Sequence, residues 1–130
     1  MPKPCPCGLK LTRDACCGRF IDAHAAPVTA AELMRSRYAA YCEGAVDYLV
    51  STTAAPARAA LDAAELHDYC AGLRGVRLEI VRATAGGADE AEGEVEFRAH
   101  LRHRGRPFVQ AERSRFIREG GRWVYAEALE

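Results

Sequence analysis

Hydrophobic and polar positions follow three regimes along the chain. Up to residue 28 neither helical nor strand periodicity holds. Thr29-Ala30-Ala31-Glu32 then has the form of a capping box, a threonine hydroxyl capping a helix and a glutamate reaching back three residues. Leu33, Met34, Arg37, Tyr38, Tyr41 and Cys42 recur at helical spacing on one face, and Gly44 suits the left-handed residue just past a helix end. The spacing predicts a helix to about Cys42, a short second helix over Val46–Ser51, a loop over Ala54–Ala60 around Pro56, and a third helix over Leu61–Cys70. Leu61, Ala64 and Leu66 are expected to face inward there, with Gly72 and Gly75 breaking the pattern.

Beyond Gly75 the period changes to two. Val76, Leu78 and Ile80 alternate, then Val95, Phe97, Ala99 and Leu101 alternate against Glu94, Glu96, Arg98, His100 and Arg102. Residues 107–119 form a third candidate strand and Arg122–Ala126 a fourth, with turns at Gly86-Gly87-Ala88-Asp89, Arg104-Gly105-Arg106 and Gly120-Gly121. Helices followed by an antiparallel meander predict an α+β fold, the helical face covering one side of the sheet. Residues 18–28 read as a linker punctuated by Gly18 and Pro27.

Composition sharpens this. The 130 residues, 49% hydrophobic, suffice for one domain with a core of its own. Eighteen basic residues balance eighteen acidic ones, which excludes a uniformly basic nucleic-acid binder and an acidic disordered tail. The balance is uneven along the chain. Residues 89–96 carry five acids and no base, and from Arg98 to Arg122 eight arginines face two glutamates. Attraction across paired strands explains the asymmetry. A weak RNA or phosphate contact is the sharper reading, against which the aromatics of this region fall on the inward parity. No apolar run reaches the roughly 18 residues of a membrane span. Met1-Pro2-Lys3-Pro4-Cys5 lacks the apolar stretch of a signal peptide, so the reducing cytoplasm is the expected compartment.

Cysteine distribution supplies the chemistry. Cys5, Cys7, Cys16 and Cys17 fall within seventeen residues as C-x-C-x8-C-C, while Cys42 and Cys70 stand alone on helical segments and read as core. In a reducing compartment such a cluster points to metal before disulfide, and vicinal cysteines cannot bridge each other without strain. Four thiolates in one loop are a tetrahedral donor set for one structural zinc ion, with no position left for a catalytic water. Lys3, Lys10, Arg13 and Arg19 lie within three residues of a candidate ligand and would favour an anionic site. His24, seven residues past Cys17, reads as a loop histidine rather than a substitute ligand.

Cys5-Pro6-Cys7-Gly8 followed by Cys16-Cys17-Gly18 resembles the SEC-C motif, the zinc-binding tail of the translocation ATPase SecA that also opens a family of small bacterial YchJ-type proteins. Leu33-Met34-Arg35-Ser36-Arg37-Tyr38, Asp47-Tyr48-Leu49, Glu112-Arg113-Ser114-Arg115-Phe116 and Trp123-Val124-Tyr125 are similar to further segments of that family, in order. Leu9-Lys10, Arg13 and Ala54-Ala55-Pro56 depart from its usual pattern. The resemblance implies a SEC-C-like zinc motif over residues 1–24 and, over 28–130, an NTF2-like cone of about four antiparallel strands packed on the N-terminal helices.

Phe108, Gln110, Glu112, Ser114 and Phe116 share one parity of the third strand. If the phenylalanines face the helix, Glu112 and Ser114 face inward too, and a buried carboxylate needs partners. Arg35 and Arg37 are the expected ones, with Tyr38, Tyr48 and Trp123 nearby. Such a network is either a site for a small ligand or for acid–base chemistry, or an ion pair fixing helix to sheet. No nucleophile–base pair or phosphate loop can be assembled around it. Three readings of function follow. The first is a protein-interaction module built on a zinc knuckle. The second is a small-molecule binder or enzyme using the cone interior. The third is RNA or ribosome contact through basic surfaces. An exposed apolar patch beside the zinc and a filled core favour the first; a deep cavity with unpaired polar groups favours the second.

Overall fold

The computed structural model describes residues 3–130; Met1 and Pro2, where the absence of a signal peptide is read, lie outside the described residues. Five helices precede four strands: α1 (Gly18–Ile21), α2 (Ala30–Glu43), α3 (Val46–Ser51), α4 (Ala55–Arg58), α5 (Ala63–Ala71), β1 (Leu73–Ala85), β2 (Glu92–His103), β3 (Arg106–Glu119) and β4 (Arg122–Ala128). The strands form one antiparallel sheet in sequence order. This is the α+β arrangement the pattern predicts. Among the described residues no helix is long and apolar enough to cross a membrane.

α2 is the central helix. Thr29 caps it by accepting from the Glu32 amide at 3.1 Å, Glu32 reaches back to the Val28 amide at 2.7 Å, and Gly44 ends it at φ +73°. Its Leu33, Met34 and Tyr38 pack with Leu73, Leu78, Val95, Phe97, Leu101, Phe116 and Trp123 of the sheet.

Three local departures have physical causes. The expected linker at 18–28 begins with α1, because Phe20 is buried. The expected loop at 54–60 contains α4, where Pro56 occupies a first-turn position that needs no amide hydrogen. The third helix starts at Ala63 because Asp62 caps it, accepting from Ala64 and Glu65, which leaves Leu61 and Ala64 exposed instead of inward. In β1, Gly75 lies inside the strand rather than before it, where α2 packs so closely that a Cβ would collide with Cys42 Sγ and the Tyr38 hydroxyl. A bulge between Gly75 and Arg77 then turns Val76 out to solvent while Leu78 stays buried.

Candidate metal centre

The N-terminal loop is closed by backbone bonds before any metal is considered. The Cys5 amide donates to the Leu11 carbonyl at 3.0 Å, Gly8 to Cys5 at 3.3 Å, and Gly18 to Arg13 at 2.8 Å. Gly8 turns the chain at φ +88°, a conformation open to glycine. A Cβ on Gly18 would sit 2.8 Å from the Arg13 carbonyl oxygen, so the helix following Cys17 can approach the loop only with glycine there.

These constraints bring Cys5, Cys7, Cys16 and Cys17 together. All four are buried, and their sulfurs lie within 4.8 Å of one another, with Cys7–Cys16 at 3.5 Å and Cys16–Cys17 at 4.0 Å. A tetrahedron of thiolates around zinc has edges of about 3.8 Å. The donor set therefore fits zinc in number, chemistry and spacing. His24 is not part of the cluster, and the six cysteines form no disulfide.

The four thiols hold their protons unevenly. The Cys7 thiol is lowered to about 5, first by the neighbouring Cys17, with the Leu9 amide, Cys16 and Cys5 adding to this against burial. Cys16 is pushed up to about 11 by burial and by its bond to Cys7, and Cys17 is raised by the neighbouring Cys7 and by burial. Metal binding displaces thiol protons, so four thiolates side by side need a cation among them.

Arg13 serves another purpose than the expected electrostatic one. It binds Asp22 and, through Nε at 2.9 Å, Glu43, and so ties the loop to the end of α2. Arg19 Nε donates to the Cys16 carbonyl at 2.9 Å, while Lys3 and Lys10 are exposed. The cysteines pack against Ala39 of α2.

Arg35 belongs to this centre, not to the cone interior. Its Nη1 donates to the Cys7 carbonyl at 3.0 Å. At 3.6 residues per turn, positions 35 and 37 point to roughly opposite sides of α2, so the two arginines cannot both reach Glu112. Arg37 does turn inward, only 6% exposed, but donates to the Leu49 carbonyl at 3.0 Å, Thr52 Oγ1 at 2.7 Å and Thr53 Oγ1 at 3.2 Å, and lies over the Tyr125 ring. Burial pushes its guanidinium down from the usual arginine range, and the neighbouring oxygens and π face hold the charge. Glu112 is satisfied separately, by Ser114 Oγ, by the Tyr125 hydroxyl at 3.1 Å and by Gln110 at 3.1 Å. The expected Glu112–arginine pair does not form.

The other expected network residues serve packing. Tyr48 and Ser36 share a hydrogen bond of 2.6 Å, Tyr38 donates to the His100 carbonyl at 3.3 Å, and Trp123 Nε1 donates to the Val28 carbonyl at 3.0 Å. The cone interior retains a cavity of about 240 Å³ lined by Met34, Tyr38, Tyr41, Tyr69, Phe97 and Gln110 among others. A larger cleft of about 700 Å³ lies outside it, where Phe20 and His24 face Asp47, Tyr48, Arg122 and Trp123. Sequence periodicity could not find this cleft, whose walls come from four separate segments. The anchors Asp22, Glu43, Thr52 and Thr53 were equally hidden, because nothing local to them marks their partners.

Residues 29–128 match a family model described as YchJ, middle NTF2-like domain. A UPF0225 protein of Chromobacterium violaceum is 42% identical over 96% of this chain and 91% of its own length. A UPF0225 protein of Streptomyces coelicolor is 43% identical over 95% and 93%. The solution structure of a SEC-C motif containing protein from Rhodopseudomonas palustris superposes with a TM-score of 0.85 at 31% identity, covering 97% of each chain. The crystal structure of a SEC-C motif containing protein from Psychrobacter arcticus shares the fold, with a TM-score of 0.83 at 23% identity over 96% of this chain and 81% of that one. The chain belongs to the YchJ family.

Proposed function

We propose that this member of the YchJ family is a protein-interaction module whose docking surface is a knuckle held by one structural zinc ion. Cys5, Cys7, Cys16 and Cys17 are the ligands, and the reducing cytoplasm keeps them available as thiolates. Four protein ligands leave the metal no open position, so its role is to fix the loop.

The observation that carries this reading is the placement of Leu9 and Leu11. They lie between the two cysteine pairs and are 40% and 48% exposed. An unconstrained loop would fold such side chains against itself; here the buried cysteines hold the backbone and leave the leucines outside. Exposed apolar groups on a rigid support are what a partner surface requires. The cone interior offers less for a ligand. Its polar groups Arg37, Glu112 and Ser114 are already bonded, and among the described residues the sole buried side-chain polar atom without a partner is His103 Nε2.

The test is affinity capture from cytoplasmic extract with the wild type and with Leu9→Ser/Leu11→Ser, both zinc-loaded. A partner retained by the wild type and lost by the variant supports the reading. Identical captured sets from both proteins contradict it.

A further inference from the structure

On the outer face of the sheet, strand register sorts charge into two halves. In one half β2 and β3 set Glu96 opposite Arg113 and Glu94 opposite Arg115. Arg113 binds Glu94 at 2.6 Å and Glu130 at 2.8 Å, and Arg115 binds Glu92 at 3.3 Å and Glu127 at 2.9 Å. This half is neutralised from within the chain.

The half nearest the β2–β3 turn is not. β1 and β2 set Arg74 directly opposite Arg102, and Glu79 opposite Arg98. Glu79 is engaged by His100 at 2.7 Å and Arg77 at 3.4 Å, and Arg104 on the turn is engaged by Asp68 at 3.5 Å. Among the described residues no carboxylate lies within ion-pair distance of Arg74, Arg98 or Arg102. Like charges directly opposed across a strand pair destabilise it. Arg74 Nη1 donates to the Leu73 carbonyl at 2.9 Å, but among the described residues no carboxylate relieves the pair.

Beside these arginines the surface is apolar. The β1 bulge turns Val76 outward at 58% exposure, and Val109 on β3 is 51% exposed. With Pro107, Phe108, His100 and Arg102 they line a shallow groove of about 260 Å³. Arginine forks match phosphate oxygens, and the outward valines leave an apolar, non-aromatic floor beneath exposed bases. A duplex, with its bases stacked inside, makes no use of the floor.

We infer that this end of the outer sheet face is a binding surface for single-stranded nucleic acid, held by its phosphates through Arg74, Arg98 and Arg102. Contact is independent of base sequence, because the charged groups meet the backbone. The surface does not involve the cysteine loop, so it stands or falls separately from the zinc reading.

The experiment is fluorescence anisotropy with a labelled oligouridine RNA over a salt series. Three neutralised phosphates give a slope of log K against log salt of about −2, at about −0.7 for each. Arg74→Gln/Arg102→Gln is expected to cut that slope to about a third and to weaken binding at least tenfold at low salt. It should melt no lower than the wild type, because facing like charges are removed. Arg98→Gln, a single exposed change, should reduce the slope by about 0.7. Arg82→Gln, opposite Glu96 and away from the patch, should shift affinity less than threefold. Absence of salt-dependent binding by the wild type, unchanged binding by the double variant, or displacement of the RNA by polyglutamate at equal charge would each overturn the inference.

Discussion

Replacing Glu112 with glutamine removes a charge from beneath Tyr125 and preserves the side chain's shape. Tyr125 is raised from 10.0 to about 12, first by burial and then by the charge and hydrogen bond of Glu112. A folded-state value above the unfolded one means that the fold favours the neutral phenol. The associated stability is complete below pH 10 and is lost as pH rises through about 12. A shift of that size corresponds to about 2.7 kcal/mol for a fully shielded group, but the half-buried ring is screened by solvent, which brings the contribution to about 1.3 kcal/mol. Burial persists in the variant, so the share carried by Glu112 is the smaller one, about 0.5 kcal/mol. The assay is tyrosinate absorbance against pH, with Tyr125→Phe subtracted to isolate this ring among the five tyrosines. In Glu112→Gln the Tyr125 midpoint is expected to fall by less than one unit and to stay above 10, with a flatter loss of stability between pH 10 and 12. A midpoint that does not move, or that rises, would refute the placement of a charged Glu112 against Tyr125.

Other outcomes follow from the same contacts. Chelation of the metal should lower the melting temperature by about 10 °C or more while the far-ultraviolet signal of the cone persists, because the cysteines pack on Ala39 of α2; an unchanged melting curve would show that loop and helix are uncoupled. Arg35→Ala should weaken zinc about tenfold in competition with a chromophoric chelator, since it removes the donor to the Cys7 carbonyl; equal affinity would remove Arg35 from the centre. Thr29→Ala should cost about 1 kcal/mol by chemical denaturation through loss of the α2 cap, and a neutral result would contradict the cap geometry.

How much of this was legible in the sequence differs by element. α2 could be bounded because both its ends carry local chemistry, a capping box at Thr29 and a left-handed glycine at Gly44. The strands were visible as alternation, yet the bulges after Gly75 and Ile80 were not, so Val76 read as inward when it faces solvent. α1 is a single turn held by burial of Phe20, a tertiary contact with no periodic signature. The cysteine cluster was readable because its ligands are close in sequence and few chemistries use four thiols so placed. The interior network was readable only in part. Strand parity correctly directs Glu112 and Ser114 inward, but the Tyr125 hydroxyl comes from another strand and the partners of Arg37 come from the segment after α3. The opposed facing of Arg35 and Arg37 follows from helix geometry alone, and applying it would have divided the two arginines between knuckle and cone.

The account rests on the four sulfurs forming one metal site. X-ray absorption at the zinc edge on protein purified under reducing conditions, with metal content measured on the same sample, tests that most directly. The expected result is one zinc per chain in a shell of four sulfurs at about 2.3 Å, lost in Cys16→Ser/Cys17→Ser. Substoichiometric metal, or a shell containing nitrogen or oxygen in place of sulfur, would contradict it.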